Sequence, residues 1–273
     1  MKNGTDFENN FFSEGIFSHA SLFSGIGGFD LAASWMGWQN IFQVEIDKFC
    51  QKVLEKNFPD TKRYSDIKNF NGTEYENKID ILTGGFPCQP FSVAGKQQGR
   101  NDERFLWNEM LRVITKIKPK FVIAENVPGI VKMELGQMCA SLENEGYEVQ
   151  PFIIPACAVN APHKRERVWI VAYSGRYGLQ RGEQGMFPAQ EQGYAAENLS
   201  ASELRECWKG NNIPPPRICR SGDGLPDRVD RIKALGNAIV PQIAFEIFCL
   251  LEAWEKIYFQ NHLTKKLSYE KQM

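Results

Sequence analysis

The chain has 273 residues, 42% hydrophobic and 24% charged, with a formal net charge of −1 at pH 7. That supplies a core for one large domain, or a domain with an added lobe, and excludes a disordered chain. A near-neutral total removes any global basic signal for nucleic acid but leaves room for a local basic cleft.

The seven cysteines are scattered and odd in number, with no paired metal spacing, so they read as free thiols of a reducing, cytoplasmic compartment. Residues 1–15 are polar and acidic, without the basic start and apolar core of a signal peptide, and read as a tail. No run reads as long and apolar enough for a membrane span.

Residues 17–23 read as a strand that enters the turn Phe23-Ser24-Gly25-Ile26-Gly27-Gly28. Glycines there let backbone N–H groups and a helix N-terminus approach a ligand. A helix over 29–36 follows, closed by Gly37, then a strand over 41–45 ending in Glu45. A carboxylate at that strand end suits the two hydroxyls of a ribose. No Gly-x-x-x-x-Gly-Lys phosphate loop is present, so the pair suits a dinucleotide or S-adenosylmethionine. Asp47 reads as the cap of the next helix. Asp66, in Tyr64-Ser65-Asp66-Ile67, reads either as a further ligand contact or as a plain turn residue.

A short strand over 79–82 delivers Gly84-Gly85-Phe86-Pro87-Cys88-Gln89-Pro90-Phe91-Ser92. The prolines stiffen the backbone around one sulfur, and the glycines allow a turn and close approach. This suits a nucleophilic thiolate at the carboxyl edge of an α/β sheet; the plain alternative is a buried structural Cys. A helix is predicted over 104–117 and a buried strand over 120–124, followed by Glu125-Asn126-Val127-Pro128-Gly129. A carboxylate among apolar walls there can share a proton with a ring nitrogen, although a helix-capping Glu reads the same way. After a helix over 133–145 and a strand over 148–154, His163-Lys164-Arg165-Glu166-Arg167 enters a strand over 167–173. Alternate arginines on a strand share a side, where they suit a carbonyl oxygen or a phosphate. The alternation predicts a mostly parallel sheet covered on both faces. Residues 174–230 lose the periodicity, and an amphipathic helix over 239–258 closes the chain.

Taken in order, the Phe-Ser-Gly-Ile-Gly-Gly turn, Glu45, Asp66, Pro-Cys-Gln-Pro-Phe-Ser, Glu-Asn-Val, Arg-Glu-Arg and Leu235-Gly236-Asn237-Ala238-Ile239-Val240-Pro241 resemble the prokaryotic and phage DNA (cytosine-5)-methyltransferases. The resemblance runs over residues 17–173 and 230–248. It implies a Rossmann-like S-adenosylmethionine-dependent methyltransferase fold, with a catalytic domain of residues 16–173 plus 231–260. It also implies a small target-recognition lobe at 174–230 and a C-terminal tail at 261–273.

As catalytic residues the resemblance implies Cys88, Glu125, Arg165 and Arg167. Cys88 would add to carbon 6 of a flipped-out cytosine, Glu125 would hold N3 and a proton, and Arg165 would polarise O2. Phe23, Gly25, Gly27, Gly28, Glu45, Ile46, Asp66, Ile67, Pro87, Asn237 and Ala238 would hold S-adenosylmethionine, and no metal is required. Gln89, Ser92, Lys96, Gln97, Arg100 and Arg104 would meet double-stranded DNA. The resemblance further implies a monomer, with or without a cognate restriction endonuclease acting separately.

Two departures stand out. His163 replaces the family's usual Gln, and the run from Gly224 to Arg231 stands where a longer Arg- and Leu-rich block is usual. Competing readings are an RNA cytosine methyltransferase, a non-catalytic DNA-binding relative and a NAD-dependent oxidoreductase. The Cys-Phe-Thr run of the tRNA-modifying relatives is absent, and a NAD enzyme leaves the Cys88 and Arg165 blocks unexplained.

Overall fold

The computed structural model describes residues 16–87, 106–175 and 228–270. Seven strands form one sheet: β1 (Ser18–Leu22), β2 (Gln39–Val44), β3 (Lys62–Tyr64), β4 (Ile81–Gly84), β5 (Phe121–Asn126), β6 (Tyr147–Pro155) and β7 (Glu166–Ser174). Six α-helices are described: α1 (Gly28–Trp35), α2 (Lys48–Asn57), α3 (Trp107–Ile117), α4 (Leu135–Asn144), α5 (Arg228–Asn237) and α6 (Pro241–Glu270).

The strand order is β3-β2-β1-β4-β5-β7-β6. β1 to β5 are mutually parallel, whereas β7 runs antiparallel to both β5 and β6. The expectation of a mostly parallel sheet therefore holds for five strands and gives way at one edge. Chain direction reverses its progress across the sheet between β1 and β4. In open α/β sheets the crevice beyond the carboxyl ends at such a switch point is where ligands bind. The glycine turn leaves β1 there, and Gly84-Gly85 leaves β4 there.

Side chains alternate across the sheet with the period of two that a pleated strand requires. Leu82, Val122, Ala124, Ile170 and Ala172 face a core completed by Met110, Val113, Ile114 and Ile117 of α3 and by Met138 and Leu142 of α4. Ile81, Phe121, Ile123, Trp169, Val171 and Tyr173 face the opposite core, completed by Phe29, Ala32 and Ala33 of α1 and by Ile243, Ala244, Ile247, Phe248 and Leu251 of α6. Both faces are thus covered, as doubly wound sheets demand.

Three elements differ from the expectations. β3 has only three residues and no apolar pattern, so nothing in its composition announced a strand. Helix α5 forms where the irregular region was expected to run to residue 230. By length and composition alone, Val229–Glu255 is apolar enough to cross a membrane, which corrects the reading that no such run exists. Its apolarity has a different use here, because Ile243, Phe248 and Leu251 are buried against the sheet. The long final helix continues to Glu270, past the end of the apolar pattern.

Candidate active site

The turn after β1 is built from backbone conformations that side chains resist. Phe23 has φ 53°, Gly25 φ 56° and Gly27 φ 86°. A Cβ on Gly27 would stand 2.5 Å from Phe58 Cε2, so α2 packs on that residue directly. A Cβ on Gly25 would meet nothing within 4 Å among the described residues, so the turn is open there. The turn is anchored from beneath. Ser24 donates its backbone N–H to Val44 O at 3.1 Å, and its Oγ lies 2.7 Å from Ser21 Oγ. Ser21 Oγ in turn donates to the fully buried Asp30 carboxyl at 3.0 Å, which also accepts from Gln43 Nε2 at 3.0 Å. Burial pushes the Asp30 carboxyl above its usual range, with His19 and these donors opposing.

Glu45 leaves the end of β2 and joins the two turns. Its Oε2 accepts from Gly25 N–H and its Oε1 from Asp47 N–H, each at 2.7 Å. Burial raises the Glu45 carboxyl above its ordinary value, and the two N–H donors pull it back. Each carboxylate oxygen keeps a further lone pair, so acceptor capacity for ribose hydroxyls remains. Asp47 caps α2 as expected, accepting from Phe49 and Cys50 N–H at 2.9 and 3.2 Å. Its other oxygen receives Lys233 Nζ of α5 at 2.9 Å.

Ile46 is 71% exposed beside this carboxylate. Asp66 closes its own turn, accepting from Lys68 N–H at 2.9 Å and from Asn69 Nδ2 at 3.1 Å. Ile67 is 5% exposed and sits in the core. The glycine turn, Glu45 and Ile46 have the positive φ, open approach and acceptors that an adenosyl cofactor needs.

Glu125 belongs to β5 itself rather than to the loop beyond it, and is 9% exposed. Its Oε1 pairs with Arg167 Nε of β7 at 3.0 Å, across the antiparallel pairing that sets Glu125 opposite Trp169. Burial pushes this carboxyl up to about 7, with Arg167 and then Arg165 opposing. Its Oε2 faces the backbone that leads to Cys88: a Cβ on Gly85 would stand 3.6 Å away. Asn126 ties the same two segments, donating from Nδ2 to Phe86 O at 3.2 Å. Pro87 is exposed at the end of this stretch. Cys88, Gln89, Ser92, Lys96, Gln97, Arg100 and Arg104 lie outside the described residues.

The two arginines do different things. Arg165, at φ 35°, donates one terminal nitrogen to Gly236 O and Ala238 O, both at 2.9 Å. Burial and the neighbouring Arg167 lower its basicity while Glu125 opposes. Arg167 is the guanidinium that engages Glu125. Arg165 thus secures the Gly236-Asn237-Ala238 segment. Asn237 is exposed and Ala238 half-buried. Sequence reasoning missed Asp30 and Lys233. The only signal for Asp30 was a carboxylate in the first turn after the glycines, and Lys233 carried none.

Comparison with known proteins gives a consistent result. The family model for C-5 cytosine-specific DNA methylase matches residues 17–212. The type II methyltransferase M.PspPI of Psychrobacter sp. (strain TA137) is 40% identical over 162 residues, which are 57% of this chain and 39% of that protein. M.HhaI of Haemophilus parahaemolyticus is 34% identical over 164 residues, covering 58% of this chain and 50% of the relative. The chain thus spans about half or less of the length of these relatives. Among solved structures, a candidate DNA modification methyltransferase encoded within an E. coli prophage superposes with TM-score 0.52 at 27% identity, covering 64% of this chain and 51% of that one. The Entamoeba histolytica methyltransferase EhMeth shares the fold, with TM-score 0.52 at 20% identity, covering 66% and 58% of the two chains.

Proposed function

The chain belongs to the C-5 cytosine-specific DNA methylase family, and from that premise we propose that it transfers a methyl group from S-adenosylmethionine to carbon 5 of cytosine in double-stranded DNA. The observation that carries the reading is the buried Glu125 carboxyl, paired with Arg167 and facing Gly85 three residues ahead of Cys88. Carbon 5 of cytosine is too weak a nucleophile to take a methyl group unaided. A Cys88 thiolate adding to carbon 6 makes carbon 5 enamine-like, and expulsion of the thiolate follows loss of the carbon 5 proton. Glu125, with a pKa near neutral, is matched to holding a proton at N3 as charge builds on the ring. Arg167 keeps that carboxyl oriented, and its guanidinium would meet O2 of the base. Arg165 holds the Gly236–Ala238 backbone against the site.

S-adenosylmethionine supplies an electrophilic methyl group when bound. Glu45 and the backbone of the glycine turn would hold its ribose and amino-acid end, with Ile46 against its adenine. The target base must leave the helix stack to meet Cys88, and residues 96–104 suit a loop that closes over it. The catalytic unit comprises residues 16–173 and 231–260, with target choice in 174–230. The protein works as a monomer in the cytoplasm, in a restriction-modification or phage-protection setting.

Tritiated methyl transfer from S-adenosylmethionine to duplex DNA, to RNA, and to neither separates this reading from its rivals. Transfer to duplex DNA is expected, and transfer to RNA alone would overturn the substrate. DNA containing 5-fluorocytosine should trap the wild type covalently, because fluorine blocks the final proton loss. Cys88→Ala should form no adduct, and an adduct with that variant would remove Cys88 from its role.

A further inference from the structure

The segment after α5 places one side chain against both halves of the site. A Cβ on Gly28, at the start of α1 behind the cofactor turn, would stand 2.8 Å from Ile239 Cβ and 3.0 Å from Ile239 O. A Cβ on Gly85, on the path to Cys88, would stand 3.2 Å from Ile239 Cδ1 and 4.0 Å from its Cγ1. Ile239 is itself half-buried and packs on the core beneath α1 and α6. Its backbone is held from the far side, where Arg165 binds the carbonyls of Gly236 and Ala238. A side chain at Gly28 would displace the root and backbone of Ile239, and one at Gly85 would push its Cδ1 by a few tenths of an ångström. The root of the side chain therefore meets the cofactor turn and its tip meets the nucleophile segment.

We propose that Ile239 is a positioning residue, a wedge that sets the spacing between the methyl-donor turn at Gly28 and the nucleophile segment at Gly85. This rests on the methyltransferase reading given above. A β-branched side chain suits the task, because its stiff χ1 fixes the direction in which the Cγ1–Cδ1 arm points from Cβ. Attack geometry is sensitive to such spacing, since displacement by about 1 Å can cost on the order of a hundredfold in rate. The root contact and the tip contact can be removed separately, so the two effects are separable by experiment.

Ile239→Val deletes Cδ1 and keeps Cβ and the backbone against Gly28. Affinity for S-adenosylhomocysteine, measured by calorimetric titration, should stay within about twofold of wild type. Turnover on mixed-sequence duplex DNA at saturating cofactor should fall about tenfold. Gly85→Ala alone should also slow turnover, because its methyl group crowds Cδ1. In the double variant the new methyl group fills the space left by Cδ1, and turnover should recover to within about threefold of wild type. A merely structural role would lower stability or cofactor affinity and would give no such recovery. Losses that simply multiply in the double variant, or an unaffected Ile239→Val in an active wild-type background, would overturn the wedge. A wild type that transfers no methyl group would overturn the functional reading, and the wedge with it.

Discussion

At the scale of single residues, Glu125 is a buried and Glu45 a half-buried carboxylate, both at strand ends, and their partners differ in kind. Glu125 is 9% exposed and pairs with a guanidinium, and its pKa near 7 leaves it able to carry a proton at neutral pH. Glu125→Gln should cut methyl transfer by about a hundredfold to ten-thousandfold with little change in S-adenosylhomocysteine binding, as steady-state kinetics and titration would report. The same group makes a pH prediction for stability. A carboxyl whose folded pKa exceeds its ordinary 4.5 favours folding fully below that value, and the contribution is lost as pH rises through about 7. The melting temperature of the wild type should therefore gain on that of Glu125→Gln as pH is lowered from about 8 to about 5. A constant difference would show that Glu125 titrates normally. Glu45 instead receives two backbone N–H donors from different turns. Glu45→Ala should weaken S-adenosylhomocysteine binding about tenfold to a hundredfold, from the roughly 1.5–3 kcal/mol of a charged hydrogen bond. An unchanged dissociation constant would take Glu45 out of the cofactor site. The residue types and strand-end positions of both were legible in the sequence. Their partners were not, because Arg167 and Gly25 reach them only through strand pairing.

At the scale of elements, periodicity and capping chemistry were readable wherever they were local. Asp47 before an apolar-periodic run announced α2, and the structure shows the cap made. Asp47→Ala should cost about 1 kcal/mol, lowering the melting temperature by about 2–4 °C. Lys233→Ala, which removes only the exposed ion pair to the same residue, should change it far less. Equal losses in the two variants would assign the stabilisation to the ion pair rather than to the cap. The elements that escaped are those with no local pattern. β3 is a strand because β2 offers it backbone partners, not because its Lys-Arg-Tyr sequence demands one. The reversed direction of β7 was equally hidden, since a buried run of alternating residues reads alike in either sense. That reversal is what carries Arg167 from the far end of its strand to Glu125.

At the scale of the molecule, the proposed function gives chemistry and target choice to different parts of the chain. The residues expected to choose DNA lie within 174–230, most of which fall outside the described residues. Exchanging that segment for the corresponding one of a related enzyme should change which cytosines are methylated, as bisulfite sequencing would report, while cofactor affinity stays the same. Retention of the original pattern would move recognition to the loop around Lys96 to Arg104. By itself the sequence determined the motif order, the strand and helix rhythm, the cap at Asp47 and the residue types Cys88, Glu45 and Glu125 on which the proposed chemistry rests. All of these follow from residue type and short-range spacing, which the covalent chain carries directly. Only the tertiary structure decided that Arg167 pairs with Glu125, that Asp30 anchors the glycine turn from within the core, and that Ile239 touches Gly28 and Gly85 together. Those contacts join residues far apart in the chain. Their distances are set by strand order, strand direction and close packing, which are properties of the assembled sheet and its helices rather than of any stretch of sequence.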